Sequence, residues 1–421
     1  MLNTQIPDIF QCHIYQLKNG LNVILSPQED LPILTSVMLY PVGLRHETEG
    51  QRGISHFIEH MLFKGTQRFG KGEIDRISLQ CGGNNNAYTS LDATIYTINI
   101  PSEYCELVLE IEADRMVNPL FDPEEVSAER EVILEEWRTA EDDPDDAFWQ
   151  QLSQVAMQDH AYGHPVLGYE KDIRSFTAED LKAFFKTHYQ PQLATLILVG
   201  NLPENIETLI EKHFGPIPCG TTEPLPPSPL PLTTPDQKHI LRRRADVNTP
   251  RLVMCWPAPA FDTDDYFSFV VLQYMLTEGW SSQLHALWVE QNPWASQVSS
   301  FILESKDPYL FWIEIETLDD QDLKTLEAAF KESLYSLQLC EKDLAKAKVQ
   351  LMTDLFLQQE TTEQRAEFIA DCFTAGNADL FSRYFESLQA VSLEDIQHIL
   401  KTYLTPEHQL TAWLLPQEAQ L

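Results

Sequence analysis

Apolar positions along the chain fall into two alternating rhythms. Short stretches that are continuously apolar, or apolar at every second residue, predict strands at "GLNVILSP" (20–27), "TSVMLYPVG" (35–43), "DATIYTINIP" (92–101) and "LATLILVGNL" (193–202). Between them, apolar residues recur at helical spacing over 54–63, about 123–140, 178–187 and 204–213. The theme returns later: "RLVMCWPAP" and "PYLFWIEIETL" read as strands, and "YFSFVVLQYML", "DLKTLEAAFKESLYSL" and "LEDIQHILKTYL" read as helices. The stretch separating the two series, "PIPCGTTEPLPPSPLPLTTPDQ" (216–237), is dense in proline and has no apolar period, which predicts an extended, semi-rigid linker. Two related α+β domains follow, 1–215 and 238–421, joined by residues 216–237.

Length agrees with that division, because 421 residues exceed one ordinary core and suit two domains of about 200 residues. The formal charge of -35 speaks against a nucleic-acid partner, since a phosphate backbone needs a basic surface, and leaves basic or neutral peptides as partners. No apolar stretch is long enough to cross a bilayer, so no membrane role is expected. The seven cysteines are odd in number and form no CxxC pair, which fits a reducing compartment better than a disulfide framework. The opening "MLNTQIPDIFQCHIYQL" shows neither a secretory nor an organellar pattern, so the expected location is cytoplasmic.

Candidate chemistry begins in "RGISHFIEHMLFKGT" (52–66). On a helix, Ile54, Phe57, Ile58, Met61 and Leu62 form one apolar stripe, and His56, Glu59 and His60 cluster on the other side. Histidines at i and i+4 project the same way and can share one cation, and imidazole is a preferred zinc ligand. A solvated helix face would carry the same letters, so a third ligand is the discriminating feature. "FDPEEVSAEREVILEEW" offers it: Asp122 can cap a helix with Pro123 at its first position and Glu125 completing a capping box. From that start Glu129, Val132, Ile133 and Glu136 share a face, and burying an unpaired carboxylate there would be costly without a cation. Periodicity does not choose between Glu129 and Glu136. Glu59, beside His60, is placed to act as a general base in metal-assisted amide hydrolysis.

At these residues the chain resembles the pitrilysin family of zinc metallopeptidases, which takes in insulinases and mitochondrial processing peptidases and carries an inverted zinc motif, HxxEH, followed by a distant glutamate. Here the motif reads His56-Phe57-Ile58-Glu59-His60, and Glu136 stands 76 residues beyond His60. "VGLRHETEGQRGISHFIEHMLFKGT", "NAYTSLDATIYTINIP", "EREVILEEW" and "GHPVLGYEKDI" are similar to family segments and keep their order; the likeness continues more loosely through "DDYFSFVVLQYMLTEGWSSQLHALW". The resemblance implies two homologous domains, each a mixed, mainly antiparallel sheet packed with helices, enclosing a chamber. It also implies one zinc ion held by His56, His60 and Glu136, with Glu59 as base and Glu129 as a supporting acid. Asn86, Ala87, Tyr88 and Thr89 would belong to an edge strand to which an extended peptide substrate adds.

The second half departs from the family pattern. Active single-chain relatives carry an arginine and, seven residues later, a tyrosine after an "SSRL" segment; here, aligned on Ser281 and Ser282, those places hold Val289 and Ser296. Losing two preorganised donors for a developing oxyanion should cost orders of magnitude in rate. In some members of the family a partner without zinc ligands supplies that pair, which implies a heterodimer here. Reshaping of the pocket by Trp288, Trp294, Gln283 or Gln291 is the competing explanation. A noncatalytic assembly subunit and a self-sufficient homodimeric peptidase are the alternative functions. The histidines at 160, 164 and 188 lack ligand spacing to one another and are expected to be satisfied or surface groups.

Overall fold

The computed structural model describes residues 12–28, 30–157, 160–221, 241–318, 322–374 and 378–417. Most of the expected linker, from residue 222 onward, lies outside the described residues. The chain forms two compact units, each built on one sheet.

The first sheet takes β1 (His13–Gln16), β2 (Asn22–Pro27), β3 (Ile33–Tyr40), β4 (Asn84–Thr89), β5 (Thr94–Pro101) and β6 (Thr195–Gly200), in the order β1-β2-β6-β3-β5-β4. The pair β2 and β6 is parallel and every other pair is antiparallel. Strand β6, TLILVG, is buried along its whole length, as its unbroken apolar run requires of a central strand.

The second sheet takes β7 (Leu241–Ala245), β8 (Arg251–Ala258), β9 (Ala295–Ile302), β10 (Tyr309–Thr317) and β11 (Leu410–Pro416), in the order β7-β11-β8-β10-β9. Its parallel pair is β7 and β11, and the rest are antiparallel. Without β1, the first sheet has the same arrangement strand for strand. The repeat expected from element order is therefore a repeat of topology. Among the described residues no helix is long and apolar enough to cross a membrane.

Two helices depart from a simple division into halves. The helix Pro144–Met157 precedes the linker yet belongs with the second sheet. Trp149 stacks against Trp312 of β10 at 5.5 Å, and the Ser153 hydroxyl lies 3.2 Å from that of Tyr309. Conversely, the helix Thr362–Thr374 packs on β3 and β6 of the first sheet. Thr35 on β3 bonds the Thr362 hydroxyl at 2.8 Å, and the buried Arg365 donates to Ser26 at 2.6 Å.

The segment 54–63 forms the helix Ile54–Met61, with Ile54, Phe57, Ile58, Met61 and Leu62 all in the core. Phe57 meets Phe176 edge to face at 6.0 Å. Its start is fixed by glycine: Gly53 has φ 91°, and a Cβ there would collide with the backbone at Leu167. Gly168, φ 79°, makes the reciprocal approach to Arg52, so both partners of this crossing must lack side chains. The acidic helix runs Pro123–Asp142, and Asp122 accepts from the backbone N–H of Glu124 and Glu125 at 2.8 and 3.3 Å, as its sequence predicts. The expected capping box is not closed, because the Glu125 carboxylate pairs instead with Lys71 at 2.6 Å.

Candidate metal centre and base

One turn of helix separates His56 from His60, and their rings sit 4.6 Å apart in a T-shaped arrangement. Glu136 arrives from the acidic helix, its Oε2 3.7 Å from His56 Nε2 and 3.4 Å from His60 Nε2. The three donor atoms all lie within 4.8 Å of one another. Ligands about 2.0–2.1 Å from a tetrahedral zinc are about 3.4 Å apart, close to the two separations that Glu136 makes with the imidazoles.

The two glutamates that periodicity left equivalent take different edges of His60. Glu129, buried, lies 2.9 Å from His60 Nδ1 and 2.5 Å from Lys64 Nζ. Burial would raise its pKa, but the bonds to His60 and Lys64 outweigh that and hold it below the usual carboxylate value. An ionised carboxylate only accepts, so Nδ1 of His60 carries the proton and Nε2 is turned toward His56 and Glu136. Glu136, half exposed, is the carboxylate that faces both Nε2 atoms.

Charge in the cluster is shared between the two imidazoles and the two carboxylates. Burial depresses the pKa of His56, reinforced by His60. Burial pulls His60 the same way, but its bonds to Glu129 and Glu136 prevail and raise it to about 9. The donor chemistry of the cluster, two imidazoles and a carboxylate, would suit a divalent ion held by His56, His60 and Glu136.

Glu59 is 8% exposed and therefore shares the interior with the apolar stripe rather than lying on an open face. Burial raises its pKa, opposed by a hydrogen bond that its Oε2 accepts from the Thr89 hydroxyl at 2.6 Å. Thr89 ends β4, the strand at one margin of the first sheet. Asn86 and Tyr88 are exposed there, while Ala87 and Thr89 take the less exposed alternate positions. On its inner side β4 pairs with β5, from Asn84 opposite Asn99 to Thr89 opposite Thr94.

Sequence reasoning missed Glu47. Its buried carboxylate accepts from the backbone N–H of Gly53 at 2.8 Å and of Ser55 at 2.9 Å, occupying the N-terminus of the His56 helix. Burial pushes its pKa up to about 7. Lys64, one turn beyond His60, was also missed, although its spacing from His60 was a usable signal.

In the second unit, Val289 lies in a π-helical turn, Ala286–Gln291, and Ser296 is exposed on β9, donating to the Glu316 carbonyl at 3.3 Å. Both tryptophans are packed locally. Trp288 is fully buried, donates to Ser333 at 2.7 Å and packs on Phe330, as Trp294 does at 6.0 Å. Gln283 is committed to Asp343 at 2.9 Å. The histidines at 160, 164 and 188 are engaged locally: His160 near Asp307, His164 with the Tyr169 hydroxyl, and His188 against Phe184.

Two family models match, "Insulinase (Peptidase family M16)" over residues 24–170 and "Peptidase M16 inactive domain" over residues 175–351. An uncharacterized zinc protease of Rickettsia felis is 30% identical over 370 residues, covering 86% of this chain and 87% of its own. The zinc protease PqqE of Helicobacter pylori is 28% identical over 410 residues, with 95% and 92% covered. The mitochondrial-processing peptidase subunit beta of Lentinula edodes is 27% identical over 414 residues, with 93% and 87% covered. Among solved structures, a protease from Helicobacter pylori superposes with a TM-score of 0.87 at 27% identity, covering 96% of this chain and 99% of that one.

Proposed function

Since the chain belongs to the insulinase family of peptidases, peptidase family M16, we propose that it is a zinc-dependent metalloendopeptidase that cleaves peptides or small unfolded proteins. The convergence of His56, His60 and Glu136, with Glu59 on the same helix, is the observation that carries this reading. His56, His60 and Glu136 hold the ion, and Glu129 sets the tautomer of His60. Zinc bound there supplies Lewis acidity for the scissile carbonyl. Glu59 takes the proton of the attacking water and returns it to the leaving amine. Asn86, Ala87, Tyr88 and Thr89 offer the margin of β4 to an extended substrate, which adds by backbone hydrogen bonds.

Val289 and Ser296 supply neither a guanidinium nor a phenol. The reading is therefore of a heterodimer in which a homologous subunit without zinc ligands contributes an arginine and a tyrosine. The similarity to a protein named as a subunit supports it. None of the seven cysteines is joined in a disulfide, which supports a reducing, cytoplasmic setting.

Metal analysis and peptide cleavage test the reading together. One zinc per chain is expected, lost in His60→Ala, while Glu59→Gln keeps the metal and loses about 10²–10⁴-fold in kcat. A chain that binds no metal and cleaves nothing, with or without co-purified partners, is a structural subunit. Cleavage by the chain alone at the rate reached with a partner defeats the divided site.

A further inference from the structure

Strand β4 and the base meet at one side chain. Thr89 follows Ala87 by two residues and so shares its less exposed side of the strand, the side on which β4 packs with the His56 helix. From there its hydroxyl reaches Glu59 Oε2 at 2.6 Å. A hydroxyl has one proton to give. The next acceptor, Thr94 Oγ1, is 3.5 Å away, and the Thr94 proton is itself committed to the Val42 carbonyl at 2.8 Å. The Thr89 proton therefore goes to Glu59, and among the described residues it is the one hydrogen bond the Glu59 side chain accepts.

We propose that Thr89 is a positioning residue for the base: it fixes Oε2 of Glu59 and leaves Oε1 as the oxygen that receives the proton of the attacking water. This rests on the reading of Glu59 as the base. Thr89 then has two separate duties, its backbone in the strand offered to substrate and its side chain on the base. A peptide held in register along β4 is thereby held in register with the oxygen that serves it.

Valine replaces threonine without loss of shape and removes the hydroxyl, so Thr89→Val separates the duties, and Thr89→Ser restores the hydroxyl. The full chain, zinc-loaded and in the assembly in which it cleaves, is assayed on a quenched fluorescent peptide. Thr89→Val is expected to lower kcat by about 10- to 100-fold, with KM within about twofold, and with zinc content and Tm unchanged. Thr89→Ser stays within about threefold of the parent, and in a Glu59→Gln background Thr89→Val adds nothing. Four results overturn the proposal: a rise in KM at constant kcat, loss of zinc from Thr89→Val, a Thr89→Ser no better than Thr89→Val, or an undiminished effect on top of Glu59→Gln. If instead Glu59→Gln keeps parental kcat, the assignment of the base fails, and the role of Thr89 fails with it.

Discussion

The helix after β3, Ile54–Met61, buries His56 and Glu59 among its apolar residues. The helix after β8, Asp264–Leu276, buries Tyr266, Phe267, Ser268, Phe269, Val270, Val271, Leu272, Met275 and Leu276. Strands β3 and β8 hold the same place in their sheets, each antiparallel to both neighbours and next to the strand that closes the parallel pair. The frame does not ask for ionisable groups at this position, since the second unit buries none on its helix, only Ser268 and the Tyr266 hydroxyl adding polar atoms to the apolar packing. Their presence in the first unit is a cost that neighbours offset one by one. Glu129 and Lys64 answer His60, Thr89 answers Glu59, and Glu47 answers the helix start. Chemistry, not architecture, explains them.

The largest effect should come from forcing the comparison in the wrong direction. Leu272→Glu places a carboxylate at a fully buried position of the second unit's helix with no compensating partner. It should cost roughly 3–5 kcal/mol or prevent folding, read by urea unfolding. A variant as stable as the parent would show that this helix has hidden polar capacity.

A second test concerns Glu47. Its folded pKa lies at about 7 against an ordinary 4.5. The proton is therefore kept on folding and released on unfolding, so the stability it lends is full below about pH 4.5 and lost as pH rises through about 7. Glu47→Gln should flatten that fall, by at most about 3 kcal/mol across the window. Parallel stability curves for the two proteins would remove Glu47 from the account.

The smallest effect belongs to Glu129→Gln, which leaves the three proposed ligands in place and loosens the orientation of His60. Zinc affinity should drop by about 10- to 100-fold, measured by competition with a chelating dye. Complete loss of the metal would instead make Glu129 a ligand.

What the sequence disclosed follows from the range over which each interaction acts. The apolar stripe of the His56 helix and the start of the acidic helix depend on spacings within a few residues, and both were read correctly. The strands β9 and β11 were not read: β9, ASQVSSFI, alternates weakly, and β11 follows the second-unit helices close to the end of the sequence. Glu47 was invisible because it acts from a loop, six residues before Gly53, with no period to betray it. Glu129 and Glu136 share a helix face, so only the edges of a histidine ring tell them apart. The capping box failed because Lys71 competes for Glu125, a long-range contact no local rule contains.

The helix Thr362–Thr374 has a consequence for how the protein is made. It covers β3 and β6, which are synthesised more than 160 residues earlier in the chain. During translation the nascent sheet that will carry His56 and Glu136 waits, with that surface bare, until the ribosome has passed residue 374. The site-bearing unit is therefore finished late, and a product that stops at the proline-rich stretch lacks a layer of its own core. Chaperone contact during that interval, and proteolysis of truncated chains, should concentrate on this one exposed sheet face.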